Sequence, residues 1–301
     1  MLSLRPGSLV VDGTLGDGGH AEAILERTAP DGRLLGLDWD GDALRVAGER
    51  LAVFGERAIL VRASFAEIED VLEERGVAKI DALLLDLGVS SRQLDQADRG
   101  FRFRDAQAGI ALDMRMDRRR SESAADLVAE ANVEELTAWF SRFGELPGSK
   151  RLARALVEAR KNGPIVTAAD LVRLIEASGI GRGRRHHPAT LVFQALRLAT
   201  NDELGALESV LEAAPRCLRA DGRLAVISYH SLEDRIVKNA LRDGERGCVC
   251  PPKLPVCVCG RLPVYRRLVK RPISPSDEEI ARNPRARSAK LRGAVRLPEA
   301  A

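Results

Sequence analysis

Asp12-Gly13-Thr14-Leu15-Gly16-Asp17-Gly18-Gly19-His20 joins the apolar run Leu9-Val10-Val11 to a segment with helical spacing, residues 20–27. A strand that turns through glycines into a helix places the turn at the strand's carboxyl end, beside a helix N-terminus. Ligands of open α/β sheets sit there, and glycine lets the backbone approach them closely. The spacing is not the G-x-G-x-x-G of dinucleotide sites, and Asp12 and Asp17 would repel a pyrophosphate. A ligand with cationic groups suits those acids better. S-adenosylmethionine carries an ammonium and a sulfonium, with a carboxylate for the loop amides, and is the expected cofactor. Asp38 closes the next strand, Arg33-Leu34-Leu35-Gly36-Leu37, where an acid accepts hydrogen bonds from both ribose hydroxyls. The plainer alternative is a glycine-rich turn followed by an ordinary strand-end acid. Loop, acid and sheet position together favour the cofactor.

Outward from this loop, strand and helix alternate. Residues 42–51 have helical spacing, with Ala43, Leu44, Ala47 and Leu51 on one face. Residues 58–61 read as a third strand. Residues 80–85 read as a fourth, apolar along its length after Asp81, as a strand buried on both faces should be. This alternation implies a parallel sheet with helices on both sides. From about residue 105 to residue 198 nearly every signal is helical: residues 126–140, 149–161, 168–177 behind the cap Thr167, and 189–199. The α/β pattern then resumes, with helix at 203–218, strand at 223–228 and helix at 232–241. The expected fold is α/β, a Rossmann-like sheet of the S-adenosylmethionine methyltransferase type with an inserted helical domain. Residues 1–104 and 199–301 form the discontinuous sheet domain, and 105–198 the insertion.

At 301 residues and 45% hydrophobic, the chain has ample material for such a core. The net charge of +3 says little, but its distribution says more. Basic residues outnumber acidic ones over 261–296, and further clusters stand at Arg115, Arg118, Arg119, Arg120 and at Arg182, Arg184, Arg185, His186, His187. A single cluster is usually a solvated face; three point to a polyanionic partner. No apolar run is long enough to span a bilayer and no signal peptide is legible, so the cytoplasm is the expected location and no membrane partner is expected. Cys248, Cys250, Cys257 and Cys259 form two Cys-x-Cys pairs. In a reducing compartment such a cluster suggests metal more than disulfides. Cys-x-x-Cys is the more usual zinc spacing, and free thiols in a loop are the other reading, so no metal ligand is included in the expected site.

Several long segments are similar to the ribosomal RNA small-subunit methyltransferase H family: DGTLGDGGH from Asp12, DLGVSSRQLD from Asp86, RGFRF from Arg99, LDMRMD from Leu112, HPATLVFQALR from His187, NDEL from Asn201, VISYHSLEDRIVK from Val226 and NPRARSAKLR from Asn283. They run from one end of the chain to the other. The resemblance implies methylation of the exocyclic N4 of a cytidine in the decoding centre, at the P site, of small-subunit 16S ribosomal RNA. The small ribosomal subunit is the implied partner. Carried over residue by residue, the implied cofactor site is Gly18, Gly19, His20, Asp38, Phe65, Asp86 and Gln93. The chain departs from the family in four places. It opens at Met1-Leu2-Ser3-Leu4, almost directly at the first strand, where members carry a longer segment with His-x-Pro-Val-Leu. That leaves either a misplaced start or a missing wall of the cofactor pocket. DAQAGIA stands after Arg104 in place of a short Asp-Gly-Pro turn, Leu191 stands where arginine is common, and Tyr229 where phenylalanine is usual.

A cytosine amino group is a poor nucleophile because its lone pair is delocalised into the ring. Many amino methyltransferases assist it with an Asp-Pro-Pro-Tyr type motif after the fourth strand. Asp86-Leu87-Gly88 stands there instead, so the Asp86 carboxylate or nearby carbonyls are the candidate acceptors. Tyr229 is placed to stack on the base, and His230 either assists proton loss or is a structural hydrogen-bonding residue. The base must leave its stack to be reached, and the basic segments, including the stretch around Arg285 and Arg287, would hold flanking phosphates. Two other functions fit: a methyltransferase of the same fold on another substrate, and a non-catalytic ribosome assembly factor.

Overall fold

The computed structural model describes residues 1–103, 109–181, 187–251 and 254–299. They form two compact units, Met1–Gly88 with Leu204–Ala301, and Val89–Glu203. The first unit opens with β1 (Leu9–Asp12), α1 (Gly19–Arg27), β2 (Arg33–Asp38), α2 (Gly41–Leu51), β3 (Ala58–Arg62), α3 (Ile68–Glu74) and β4 (Ile80–Asp86). The second unit is helical: α4 (Ser91–Asp95), α5 (Ala124–Glu130), α6 (Val133–Arg142), α7 (Ser149–Ala159), α8 (Ala168–Ala177) and α9 (Ala189–Asn201). The chain returns to the first unit with α10 (Glu203–Cys217), β5 (Leu218–Ser228), α11 (Ser231–Arg246), β6 (Tyr265–Arg267), α12 (Asp277–Arg282) and β7 (Lys290–Arg296). Among the described residues no helix is long and apolar enough to cross a membrane.

The sheet order is β3-β2-β1-β4-β5-β7-β6. Strands β3 to β5 are parallel, which is the Rossmann-like arrangement expected of the sequence. Strand β7 runs antiparallel to both β5 and β6, so the sheet is mixed rather than purely parallel. Residues 290–296 had been read only as part of a basic stretch. They form a buried strand because Gly293, Ala294 and Val295 fill the sheet and Arg292 is neutralised inside it by Asp234. Side chains alternate across the pleat. Val10, Leu34, Ala82 and Leu84 pack with Ala21, Leu25, Ala47 and Leu51 of α1 and α2 on one face. Val11, Leu35, Leu83, Leu85 and Val226 pack with Val210 of α10 and Val237 of α11 on the other. With both faces covered, β4 has no solvent side, hence its continuous apolar run. The strand order reverses between β1 and β4, which opens a crevice at their carboxyl ends.

In the second unit, the single helix expected over 126–140 is two. Asn132 interrupts it and caps α6, accepting from Glu135 N at 2.9 Å while its own N–H donates to the Glu135 carboxylate at 2.8 Å. This reciprocal pair satisfies two end amides and makes the break favourable. The cap Thr167 starts α8 by the same device with Asp170. Three of the sequence motifs hold this unit together. Asn201 donates to Met114 O and accepts from Met116 N, both at 2.8 Å. Arg99, fully buried, donates to the carbonyls of Arg115 and Met116.

Candidate active site

The ends of five parallel strands, β1 to β5, bring the candidate residues of the first unit together. After β1, the backbone takes φ +81° at Gly18, and a Cβ there would lie 3.3 Å from Ala47 Cβ. Only glycine meets both demands without strain. The same loop reaches over β2: Gly16 N donates to Asp38 Oδ2 at 2.8 Å, and Asp40 N donates to Asp38 Oδ1 at 2.9 Å. Asp38 therefore shapes the glycine loop as well as facing the crevice. After β3, Phe65 is buried at the head of a short turn capped by Ser64, with its ring centroid 6.2 Å from that of Trp39.

Asp86, at the end of β4, is the most connected of these residues. Its N–H donates to Thr14 Oγ1 at 2.6 Å, and Tyr229 Oη donates to its Oδ1 at 3.0 Å. Its Oδ2 lies 3.4 Å from His20 Nε2. The hydrogen bond to Asp86 raises the His20 pKa, and partial burial opposes that rise. Burial, with Asp86 beside it, pushes the Tyr229 hydroxyl well above its usual range, so it is a donor at any physiological pH. Glu233 of α11 accepts from the N–H groups of Tyr229 and His230, at 2.9 and 3.2 Å. His230 itself caps α11. Its Nδ1 accepts from Glu233 N at 3.3 Å, and its Nε2 lies 3.0 Å from Glu233 Oε1 without hydrogen-bond alignment.

The crevice is strongly acidic. Asp12 is fully buried, its Oδ2 has no partner, and burial pushes its pKa up to about 7. Burial likewise pushes Asp38 up to about 6, with Asp40 and Asp17 adding like charge. A cation in the crevice would relieve both. A buried carboxylate with one unpartnered oxygen, a second acid at the end of β2 and a glycine turn at a helix N-terminus fit the cationic groups, the ribose and the carboxylate of S-adenosylmethionine. Sequence reading named the glycines and Asp38 from the loop and strand pattern, and His20, Phe65 and Asp86 from the resemblance. It did not assign Thr14 or Trp39, although an aromatic ring directly after a strand-end acid is a usable signal for adenine.

Gln93 is a residue of the second unit. It is buried and closes the N-terminus of α4, donating its N–H to Ser90 Oγ at 3.2 Å and accepting from Ser90 N at 3.0 Å. The basic cluster at 115–120 is largely ion-paired there. Arg115 lies 2.7 Å from Asp113, Arg118 2.8 Å from Asp98 and Arg119 2.7 Å from Asp117. His187 stacks on Phe103 and lies 3.4 Å from Glu176. Arg182, Arg184, Arg185 and His186 lie outside the described residues, as does most of the DAQAGIA segment.

Known proteins resemble the chain along its length. The profile of the MraW methylase family matches residues 1–297. The ribosomal RNA small subunit methyltransferase H of Geobacter sulfurreducens is 53% identical over 299 residues, covering 98% of this chain and 95% of its own. Its namesake from Symbiobacterium thermophilum is 50% identical over 298 residues, covering 98% and 93%. That from Geotalea daltonii is 48% identical over 299 residues, covering 98% and 95%.

Proposed function

Because the chain belongs to the MraW methylase family, and so to the S-adenosylmethionine-dependent methyltransferases, we propose that it methylates the exocyclic N4 of a decoding-centre cytidine in small-subunit ribosomal RNA. The relatives' names support the RNA. The observation that carries the chemistry is Asp86: a half-buried carboxylate at the end of β4, held at one oxygen by Tyr229 and anchored through its amide to Thr14.

When bound, the cofactor supplies an electrophilic methyl group on a sulfonium. Asp12 would offer negative charge to its cationic groups, the amides about Gly18 and Gly19 would hold its carboxylate, Asp38 would accept from the ribose hydroxyls, and Phe65 with Trp39 would hold the adenine. Gln93 as a cofactor contact rests on the resemblance alone. Asp86 accepts a hydrogen bond from the cytosine amine, which restores lone-pair density to its nitrogen, and takes up the proton the amine releases. Tyr229 keeps that carboxylate aimed, and His20 stands 3.4 Å from its other oxygen. His230 serves α11 as its cap, while Glu233 anchors the backbone of Tyr229, so His230 takes no proton in this scheme.

The test is transfer from labelled cofactor to small subunits isolated from cells lacking the protein, followed by nucleoside mass spectrometry. N4-methylcytidine at one decoding-centre position is the expected product. A ring-methylated cytidine, or methylation of protein alone, would refute the assignment.

A further inference from the structure

Residues 247–263 connect α11 to β6 without helix or strand among the described residues. The stretch has almost no core of its own. Val249, Leu254, Val256, Val258 and Leu262 are all exposed, and Cys250 is buried. Its two ends meet. Gly247 has φ +69°, and a Cβ there would lie 2.4 Å from Pro263 N and 2.5 Å from Leu262 C. A long connection that turns its apolar side chains outward and still closes on itself needs a cross-link from another source.

The cysteines supply one. The Sγ atoms of Cys248, Cys250, Cys257 and Cys259 all lie within 4.8 Å of one another. Cys257 Sγ is 3.5 Å from Cys248, 3.9 Å from Cys250 and 3.5 Å from Cys259, and Cys259 is 3.7 Å from Cys248. A disulfide requires about 2.05 Å, and all four are free thiols. Four sulfurs at about 2.3 Å from a tetrahedral zinc are about 3.8 Å apart, and the four measured separations bracket that value. Backbone amides point at the sulfurs, as they do where thiolate charge must be stabilised: Cys250 N–H at Cys248, and Val249 and Arg261 N–H at Cys259. Arg246 donates to Cys250 O at 3.3 Å and brings a positive charge to the same place.

We propose that Cys248, Cys250, Cys257 and Cys259 bind one zinc ion as a closed four-sulfur site that holds the connection between α11 and β6 in its folded form. Four sulfurs leave no open coordination position, so the metal is structural rather than catalytic. Four-sulfur sites also take iron. Methyl transfer from a sulfonium moves no net electrons, and a redox-inert ion suits a cross-link in such a protein. Binding replaces the thiol protons with the metal and leaves two negative charges, which the surrounding amides and Arg246 offset.

The full chain, untagged and purified under reducing conditions, is analysed for metals by mass spectrometry. One zinc per chain is expected, released into a zinc indicator as a mercurial titrates the thiols. Cys257→Ser with Cys259→Ser should lose it. Cys217→Ser, a buried thiol of α10 outside the cluster, should keep it. Should the double variant misfold, wild-type chain stripped of metal and titrated with cobalt(II) gives an independent reading, with intense thiolate charge-transfer and tetrahedral bands expected. Stripped chain that stays folded yet takes up neither zinc nor cobalt overturns the proposal. So does stoichiometric iron in its place, or zinc that survives loss of both cysteines. None of these readouts depends on methyl transfer, so the site and the proposed reaction fail separately.

Discussion

Asp12 is buried without a partner for its Oδ2, an arrangement that costs stability in the free protein. Its pKa is raised to about 7 from 3.8. The folded state therefore holds this proton more tightly than the unfolded state does. Stability from this group falls as pH rises from about 4 to about 7 and is level above that, the reverse of an ion-paired acid. At about 1.36 kcal/mol per pH unit the full effect is at most roughly 4 kcal/mol. Asp12→Asn should remove it, so denaturant melts of variant and wild type should diverge by about 2–4 kcal/mol in the variant's favour between pH 4 and pH 8. S-adenosylmethionine and S-adenosylhomocysteine differ by the sulfonium charge. Calorimetry should therefore show the wild type's preference for the former growing roughly tenfold across the same window, and a flat preference in the variant. A flat preference in the wild type would place Asp12 away from the sulfonium. At Asp86 the expectation is kinetic. Asp86→Asn should lower kcat by roughly 100- to 1,000-fold with cofactor affinity little changed, and a near-normal rate in single-turnover assays would discard it as the acceptor. Sequence spacing revealed the strand-end acids because their positions follow from the βαβ pattern. It did not reveal that Asp12 is fully buried or that Tyr229 reaches Asp86, because both depend on packing between segments distant in the chain.

Helix α11 couples the candidate site to the sheet. Its first turn holds the backbone of Tyr229 and His230 through Glu233, and the next residue, Asp234, reaches back to β7. Asp234 lies 2.7 Å from Arg292 and 3.3 Å from Lys290, and both Asp234 and Arg292 are buried. Burial alone would raise the Asp234 pKa, but the Arg292 guanidinium and Lys290 outweigh it and hold the carboxyl below its ordinary range. Its contribution is thus present at neutral pH and is lost as pH falls through that lowered value. Removing one partner leaves the other charge buried and unmatched. Asp234→Ala should cost about 3–5 kcal/mol in denaturant unfolding, and the loss should shrink below pH 4. An unfolding curve identical to wild type at pH 7 would show that Arg292 finds another partner. The sequence concealed this element. Lys290-Leu291-Arg292-Gly293-Ala294-Val295-Arg296 carries three cations, and composition reads such a stretch as solvated surface. A buried acid elsewhere in the chain converts one of those cations into part of the core, and no local pattern announces that. The start of α8 was legible by contrast, because Thr167 with Asp170 is a capping pair readable within four residues, whereas the equivalent pair Asn132 with Glu135 lay inside a run that reads as one helix.

At the scale of the whole chain, the basic clusters that suggested a polyanionic partner prove unequal. Arg115, Arg118 and Arg119 are matched by Asp113, Asp98 and Asp117, and Arg292 is inside the sheet. Arg285 and Arg287 are exposed on the turn Pro284–Ser288. With a net charge of only +3, phosphate attraction alone gives weak binding that salt abolishes. On the proposed reaction, selectivity for one cytidine would then come from the shape of a folded target, the way proteins discriminate structured RNA. An assembled or nearly assembled small subunit offers such a shape, and protein-free ribosomal RNA does not hold it. Methyl transfer to subunits should therefore exceed transfer to protein-free ribosomal RNA by at least roughly tenfold, and duplex DNA should be inert. Charge reversal at Arg285→Glu with Arg287→Glu should raise KM for subunits about tenfold at low salt. The same variant should flatten the salt dependence, since each lost phosphate contact removes about 0.7–0.9 from the log–log slope. Cofactor affinity should not move, because neither arginine is among the residues assigned to the cofactor. Equal transfer to naked RNA and to subunits would mean that sequence alone is read. A variant with wild-type KM and salt slope would mean that the RNA is held by other residues.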